Sequence, residues 1–178
     1  MTAALRIEVA ATSALRPETL ALVRALVTDA FEGDCTDENW SHALGGTHVL
    51  LWADGEVLIG HASVVERVLL HDGRPIRSGF VEAVAVPAEL RRQGHGHRLM
   101  EHIERVIRDE YAIGVLSTSE SGLPLYRARG WQRWCGETYV RTPDGLERTP
   151  DDDDSVMVLG NIEPSGTLAC DWRPGEVW

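Results

Sequence analysis

Long apolar runs are missing from this 178-residue chain. Nowhere do roughly 18 apolar residues follow one another, which excludes a membrane-spanning helix of the usual kind. Cysteine is scarce: Cys35, Cys135 and Cys170 are far apart and odd in number. They read as reduced thiols, not as a disulfide frame or a zinc set. Seven histidines are scattered without a His-Glu-x-x-His pattern, so no metal site is expected. Positive charge is in short supply, with 17 basic against 28 acidic residues and a net charge of −11. Nucleic acid is therefore a poor partner, and a cationic ligand suits the surface better. The N-terminus shows no basic start followed by an apolar block, so a cytoplasmic location without a secretory leader or membrane contact is expected. At 43% hydrophobic the chain can build an ordinary core. Its length predicts a single domain over 1–178. Apolar and aromatic residues persist to Trp178, so the C-terminal tail is expected to dock onto that domain.

What is present is concentrated in Val84-Ala85-Val86-Pro87-Ala88-Glu89-Leu90-Arg91-Arg92-Gln93-Gly94-His95-Gly96-His97-Arg98-Leu99-Met100. An apolar strand, a proline exit and an Arg/Gln/Gly loop lead into an amphipathic helix with Leu99, Ile103, Val106 and Ile107 on one face. Unpaired N–H groups at a helix start can hold a pyrophosphate. Gly94 and Gly96 let backbone approach it, and Arg91, Arg92 and Arg98 can add charge-assisted hydrogen bonds. Neither the Walker loop nor Gly-x-Gly-x-x-Gly fits the spacing.

Around this segment the pattern predicts a strand over 5–9 and a helix over 17–30. A short helix over 36–44 follows, capped by Thr36. Strands are predicted over 48–52, 57–70 and 76–86, the first two joined by Asp54-Gly55 and the next by His71-Asp72-Gly73. The long helix runs to about 110. A buried strand over 113–116, a helix over 119–129 containing Pro124 and ending at Gly130, and a strand over 131–141 complete the central part. Pro143-Asp144-Gly145 is a turn. Asp151, Asp153 and Asp154 are expected to form a solvated loop, with a strand near 156–159 after it.

The loop resembles the acetyl-CoA loop of the Gcn5-related N-acetyltransferases, Arg/Gln-x-x-Gly-x-Gly/Ala, with Arg91, Gly94 and Gly96 in register. The resemblance implies an α/β fold: a mixed, mostly antiparallel sheet flanked by helices, with a central parallel strand pair. It also implies acetyl-CoA as co-substrate, held by Val84, Val86, Arg91, Arg92, Gln93, Gly94, Gly96 and His97, with the Val84 N–H polarising the acetyl carbonyl. Strand alternation sets Glu82, Val84 and Val86 on one face. Glu82 is the only charge in an apolar strand, so it must be paired, hydrogen-bonded or functional. It is a candidate general base, with cation binding or a structural ion pair as alternatives. Tyr126, in Leu125-Tyr126-Arg127-Ala128-Arg129-Gly130-Trp131, is a candidate acid for the leaving thiolate; the alternative is a packed helix tyrosine.

A narrower resemblance covers nearly the whole chain. Phe31-Glu32-Gly33-Asp34, Leu44-Gly45-Gly46-Thr47-His48, Gly79-Phe80-Val81-Glu82, Arg148-Thr149-Pro150-Asp151-Asp152-Asp153 and Cys170-Asp171-Trp172-Arg173-Pro174-Gly175-Glu176-Val177-Trp178 are similar to the aminoglycoside 2'-N-acetyltransferases of mycobacteria. The implied substrate is a polycationic aminoglycoside, bound by Asp34, Glu82, Ser117, Asp152, Glu176 and the α-carboxylate of Trp178. The implied chemistry is direct transfer in a ternary complex, and the implied assembly is a homodimer. Two positions depart: Asn39 stands where Asp is expected, and Glu176 is one methylene longer than the expected Asp. Other amines remain as alternatives, namely a polyamine, a cell-wall amino sugar or a peptide N-terminus. So does an acyl-CoA-sensing module without turnover.

Overall fold

The computed structural model describes residues 4–178. The chain divides into two compact units, 1–65 with 81–105 and 66–80 with 106–178. The first contains β1 (Leu5–Ala11), α1 (Pro17–Ala30), α2 (Asp37–His42), β2 (Thr47–Ala53), the start of β3 (Val57–His71), the end of β4 (Arg74–Ala85) and most of α3 (His95–Glu110). β1 pairs antiparallel with β2, and β2 with β3. Both Asp-Gly turns fold as expected, with positive φ at Asp54, Gly55, Asp72 and Gly73, the twist that suits a tight hairpin.

α1 starts with Pro17, whose missing N–H costs nothing at the first turn, and Glu18 there complements the helix dipole. Its Val23 and Val27 pack with Trp40 of α2 and with Leu50 and Trp52 of β2. Each such buried side chain contributes about 1.5–3 kcal/mol. The opposite face of the strands carries Leu51 and Gly60 and takes Leu99 of α3. Thr36 caps α2 through Asn39 N–H at 3.1 Å, although α2 stops at His42, short of the expected 44.

β4 departs from simple alternation. It ends at Ala85, one residue before the expected Val86. Ala83 adopts φ +50, a left-handed conformation costing an L-residue roughly 1–2 kcal/mol. Phe80 and Val81 are both buried, and Glu82, Ala83 and Val84 are all half-buried. The left-handed Ala83 thus interrupts the regular alternation that would set Glu82, Val84 and Val86 on one face.

The second unit adds β5 (Ile113–Ser117), α4 (Leu123–Arg127), β6 (Gln132–Arg133), β7 (Glu137–Thr142), β8 (Gly145–Arg148), β9 (Val156–Gly160) and β10 (Thr167–Asp171). β5 runs parallel to β4, Ser78 opposite Ile113, and antiparallel to β9. β10 is antiparallel to β3 at Leu168–His71 and Ala169–Leu70, and parallel to β7 from Thr167–Glu137 to Asp171–Arg141. The fold is the expected mixed, mostly antiparallel sheet flanked by helices, with β4 and β5 as a parallel pair.

Two elements of this unit depart from expectation. The 119–129 helix contracts to Leu123–Arg127. Ser119 and Ser121 hydroxyls bond each other at 2.9 Å, Gly122 N–H closes a turn on Ser119, and Pro124 fixes the helix start. The strand expected over 131–141 breaks into β6 and β7. Trp134 and Cys135 send their N–H groups to the carbonyls of Val156 and Pro164. Gly136 sits so close to Gly166 that a Cβ would lie 1.7 Å from its carbonyl oxygen. The C-terminal segment belongs to this unit, with Trp178 5% exposed.

Candidate active site

In the first unit the Arg/Gln/Gly loop leads from β4 into α3 as predicted. Pro87 leads into a 3₁₀ turn, Ala88–Leu90. Arg92 (φ +61) and Gly94 (φ +84) are left-handed. The first intrahelical bond is Arg98 N–H to the Gly94 carbonyl, so the N–H groups of 95–97 precede any helical acceptor. The Gly94 Cα faces open space. Arg91 braces the loop: its Nε donates to Val86 O at 3.1 Å and its Nη2 to Ala30 O at 2.9 Å. Gln93 Nε2 donates to Glu89 O at 3.2 Å. Arg92, His97 and Arg98 are exposed. His95 is 8% exposed, and its Nδ1 has no hydrogen-bond partner among the described residues. A helix start with an open glycine, exposed arginines and an orphaned buried nitrogen fits a pyrophosphate-bearing co-substrate.

Glu82 and Val84 flank the left-handed Ala83 in this unit. β3 side chains bond this stretch: Ser63 Oγ donates to Glu82 O at 3.3 Å and His61 Nδ1 to Ala83 O at 2.8 Å. Asp34 is exposed just after the turn at Glu32 (φ +55) and Gly33 (φ +93).

In the second unit, Ser117, Asp152 and Glu176 come together. Ser117 Oγ donates to Ser155 Oγ and Ser155 Oγ to Asp152 O, each at 3.0 Å. Burial raises the Asp152 pKa from its ordinary value, and the charges of Asp151, Glu176 and Asp153 add to it. Asp152 and Glu176 thus lie near enough for their like charges to interact. Trp178 is seated by Nε1 donating to Thr149 Oγ1 at 3.0 Å, and its ring lies 6.5 Å from that of Phe80. Tyr126 of α4 is 6% exposed, edge-on to Trp131 at 6.1 Å. Burial pushes its phenol up to about 12, so it is protonated at neutral pH.

Asp153 is not a solvated loop residue. It takes two hydrogen bonds from Arg148, each at 2.8 Å. It also accepts from the Thr138 N–H and hydroxyl. These bonds hold its carboxyl well below the usual range, Arg148 being the largest cause. Sequence reasoning also missed Arg67. Its Nε donates to Asp171 Oδ1 at 2.8 Å and its Nη2 to Asp171 O at 2.7 Å. Alternation from buried Val65 to buried Leu69 was the available signal that Arg67 points inward.

A family model described as an acetyltransferase (GNAT) domain matches residues 12–134. The chain is an acetyltransferase of the Gcn5-related N-acetyltransferase family. Among solved structures it is similar to the GNAT protein YhbS of Escherichia coli in complex with CoA. That match has a TM-score of 0.61 and 17% identity, covering 94% of this chain and 89% of that one. Escherichia coli ElaA gives a TM-score of 0.62 at 16% identity, over 88% of this chain and 99% of that one. The chain is also 44% identical to an aminoglycoside 2'-N-acetyltransferase of Mycolicibacterium fortuitum, covering 94% of itself and 89% of that protein. It belongs to that enzyme's family. No group of three or more metal-ligating side chains occurs among the described residues. No helix among them is long and apolar enough to cross a membrane.

Proposed function

We propose that this acetyltransferase transfers the acetyl group of acetyl-CoA to the 2'-amino group of aminoglycosides, by direct attack of the amine in a ternary complex. The substrate assignment is carried by the mutually repelling carboxylates Asp152 and Glu176 beside Ser117. A polycation relieves such repulsion, each close charge pair giving about 4 kcal/mol of gross attraction before desolvation. Asp34, Glu82 and the Trp178 carboxylate are the further ligands that the family resemblance implies.

Acetyl-CoA, when bound, supplies the activated acyl group. Val84, Val86, Arg91, Arg92, Gln93, Gly94, Gly96 and His97 bind it, the N–H groups at the α3 start and Arg92 taking its phosphates while Arg91 holds the loop in shape. The Val84 N–H donates to the acetyl carbonyl oxygen. Glu82 takes a proton from the substrate ammonium through water, and Tyr126 gives its phenolic proton to the departing sulfur. A covalent acetyl-cysteine is not needed. The Cys170 thiol is pushed up to about 11 by burial, far from the thiolate a nucleophile requires.

The test is acetyl-CoA-dependent thiol release with gentamicin or tobramycin, followed by locating the acetyl group on the product. Release stimulated at the 2'-nitrogen supports the reading. No stimulation by any 2'-amino aminoglycoside would sink it. Competition with a polyamine, a cell-wall amino sugar and a peptide N-terminus in the same assay ranks the other amines. A homodimer in the cytoplasm is the expected state, and sedimentation of the purified chain checks the assembly.

A further inference from the structure

Two fully buried histidines lie on the β2–β3 face that carries Leu50. His48 is opposite Ser63, and His61 is opposite Leu50, so the two rings are diagonal neighbours across the ladder. They are hydrogen-bonded to each other, His48 Nδ1 to His61 Nε2 at 2.9 Å. His61 Nδ1 lies 2.8 Å from the carbonyl oxygen of left-handed Ala83. At the other end, His48 Nε2 lies 2.7 Å from Thr12 Oγ1, which itself accepts from Gly45 N–H at 2.9 Å.

The protons in this chain can be assigned from one fixed point. A carbonyl only accepts, so His61 carries its proton on Nδ1. With both rings neutral, His61 Nε2 is then an acceptor, His48 donates from Nδ1, and His48 Nε2 takes the Thr12 hydroxyl proton. Burial keeps both rings neutral, lowering His48 to about 4 and His61 to about 3. Thr12 Oγ1 also lies 3.2 Å from the Gly46 carbonyl, but with His61 fixed as Nδ1–H its one proton goes to His48 Nε2 at 2.7 Å, so the relay runs one way from Gly45 through Thr12, His48 and His61 to Ala83.

The target of this chain matters because Ala83 C=O and Val84 N–H belong to one planar trans peptide unit and point in opposite directions. Drawing the carbonyl toward His61 turns the Val84 N–H away from the buried face. A hydrogen bond on the carbonyl also polarises the N–H of the same amide. We propose that His61, oriented by His48 and Thr12, is a positioning residue that aims and strengthens the Val84 N–H as the donor to the acetyl carbonyl. This rests on the acetyl-transfer role given to Val84 above. It adds what makes a strained strand residue hold its shape: the left-handed Ala83 is kept by a side-chain relay from β1's end through β2 and β3.

The test separates donor placement from packing. The Asn Nδ2 falls where the His Nδ1 was and can still donate to Ala83 O, whereas Gln puts its amide at the Nε2 end. His61→Asn should keep kcat within about five-fold of wild type. His61→Gln should lose about 30-fold, part of the 10²–10³ that removing a whole oxyanion donor costs. KM for both substrates should stay within about three-fold in each variant. Equal kcat losses, or losses confined to KM, would overturn the proposal, since a packing role predicts those. Independently of activity, nitrogen-15 NMR of the whole wild-type chain at pH 7 should show His48 and His61 neutral with the proton on Nδ1. An Nε2–H tautomer at His61 would also overturn it. A wild-type chain inactive on every amine overturns the Val84 reading as well, whereas an active wild type with indistinguishable Asn and Gln variants overturns this proposal alone.

Discussion

Arg67 donates from Nη1 to the carbonyl of Val177 at 2.8 Å, joining positions 110 residues apart. The same guanidinium grips Asp171 with Nε and Nη2 and lies over the Phe80 ring at 4.6 Å. Its side chain is 4% exposed, so it is less a surface charge than the peg on which the tail bearing Glu176 and Trp178 hangs.

Arg67→Met keeps much of the volume and removes all three bonds. The half-exposed Asp171 can be rehydrated, so the cost is about 2–3 kcal/mol, below the 3–5 typical of a fully buried pair. Thermal unfolding should fall by about 5–10 °C. KM for an aminoglycoside should rise at least ten-fold while KM for acetyl-CoA stays within about two-fold. Equal changes in both would remove the tail-specific role.

Asp153→Asn tests the carboxylate that the acidic run hides. Its folded pKa is depressed by Arg148 and Thr138. The stabilisation is therefore complete at neutral pH and lost as pH falls from about 4 through the folded value. The variant should melt several degrees lower at pH 7, and the gap should narrow below about pH 4. Differential scanning fluorimetry across pH 3–8 measures it.

Asp152 titrates in the opposite sense. Burial first, and the charges of Asp151, Glu176 and Asp153 next, raise its pKa, so its negative charge is lost earlier on acidification than that of an ordinary Asp. On acidification, KM for an aminoglycoside should begin to climb at a higher pH than an ordinary Asp would give. Glu176→Gln should shift that climb to lower pH while raising KM at pH 7. A KM flat with pH in the wild type would exclude Asp152 as a cation ligand.

Tyr126→Phe and Glu82→Gln probe the proton transfers, each expected to lower kcat by about 10²–10³. With its phenol pushed up to about 12, Tyr126 stays protonated across the assay range. The wild-type rate should show no alkaline fall from this group below about pH 10. Steady-state rates from pH 5 to 10 measure both effects.

Much of the scaffold was legible because local chemistry agrees with local structure. Pro17, Thr36, Asp54-Gly55 and Gly94 announce their caps and turns in any context. Ala83 does not: nothing in an alanine among apolar neighbours signals φ +50, which is imposed by His61 and Ser63 from another strand. Asp153 looked like its acidic neighbours because its partners, Thr138 and Arg148, lie 15 and 5 positions earlier. The break between β6 and β7 depends on Gly166 meeting Gly136 across the fold, which no window of sequence contains.

β10 occupies a slot between β3 and β7, hydrogen-bonded to both. During synthesis both neighbours emerge well before residues 167–171 do. Until then each presents an unfilled edge, ready to pair with whatever strand is nearest. A nascent chain halted before Thr167 therefore carries two sticky borders, and its fate is aggregation or chaperone capture, not a slightly loosened enzyme.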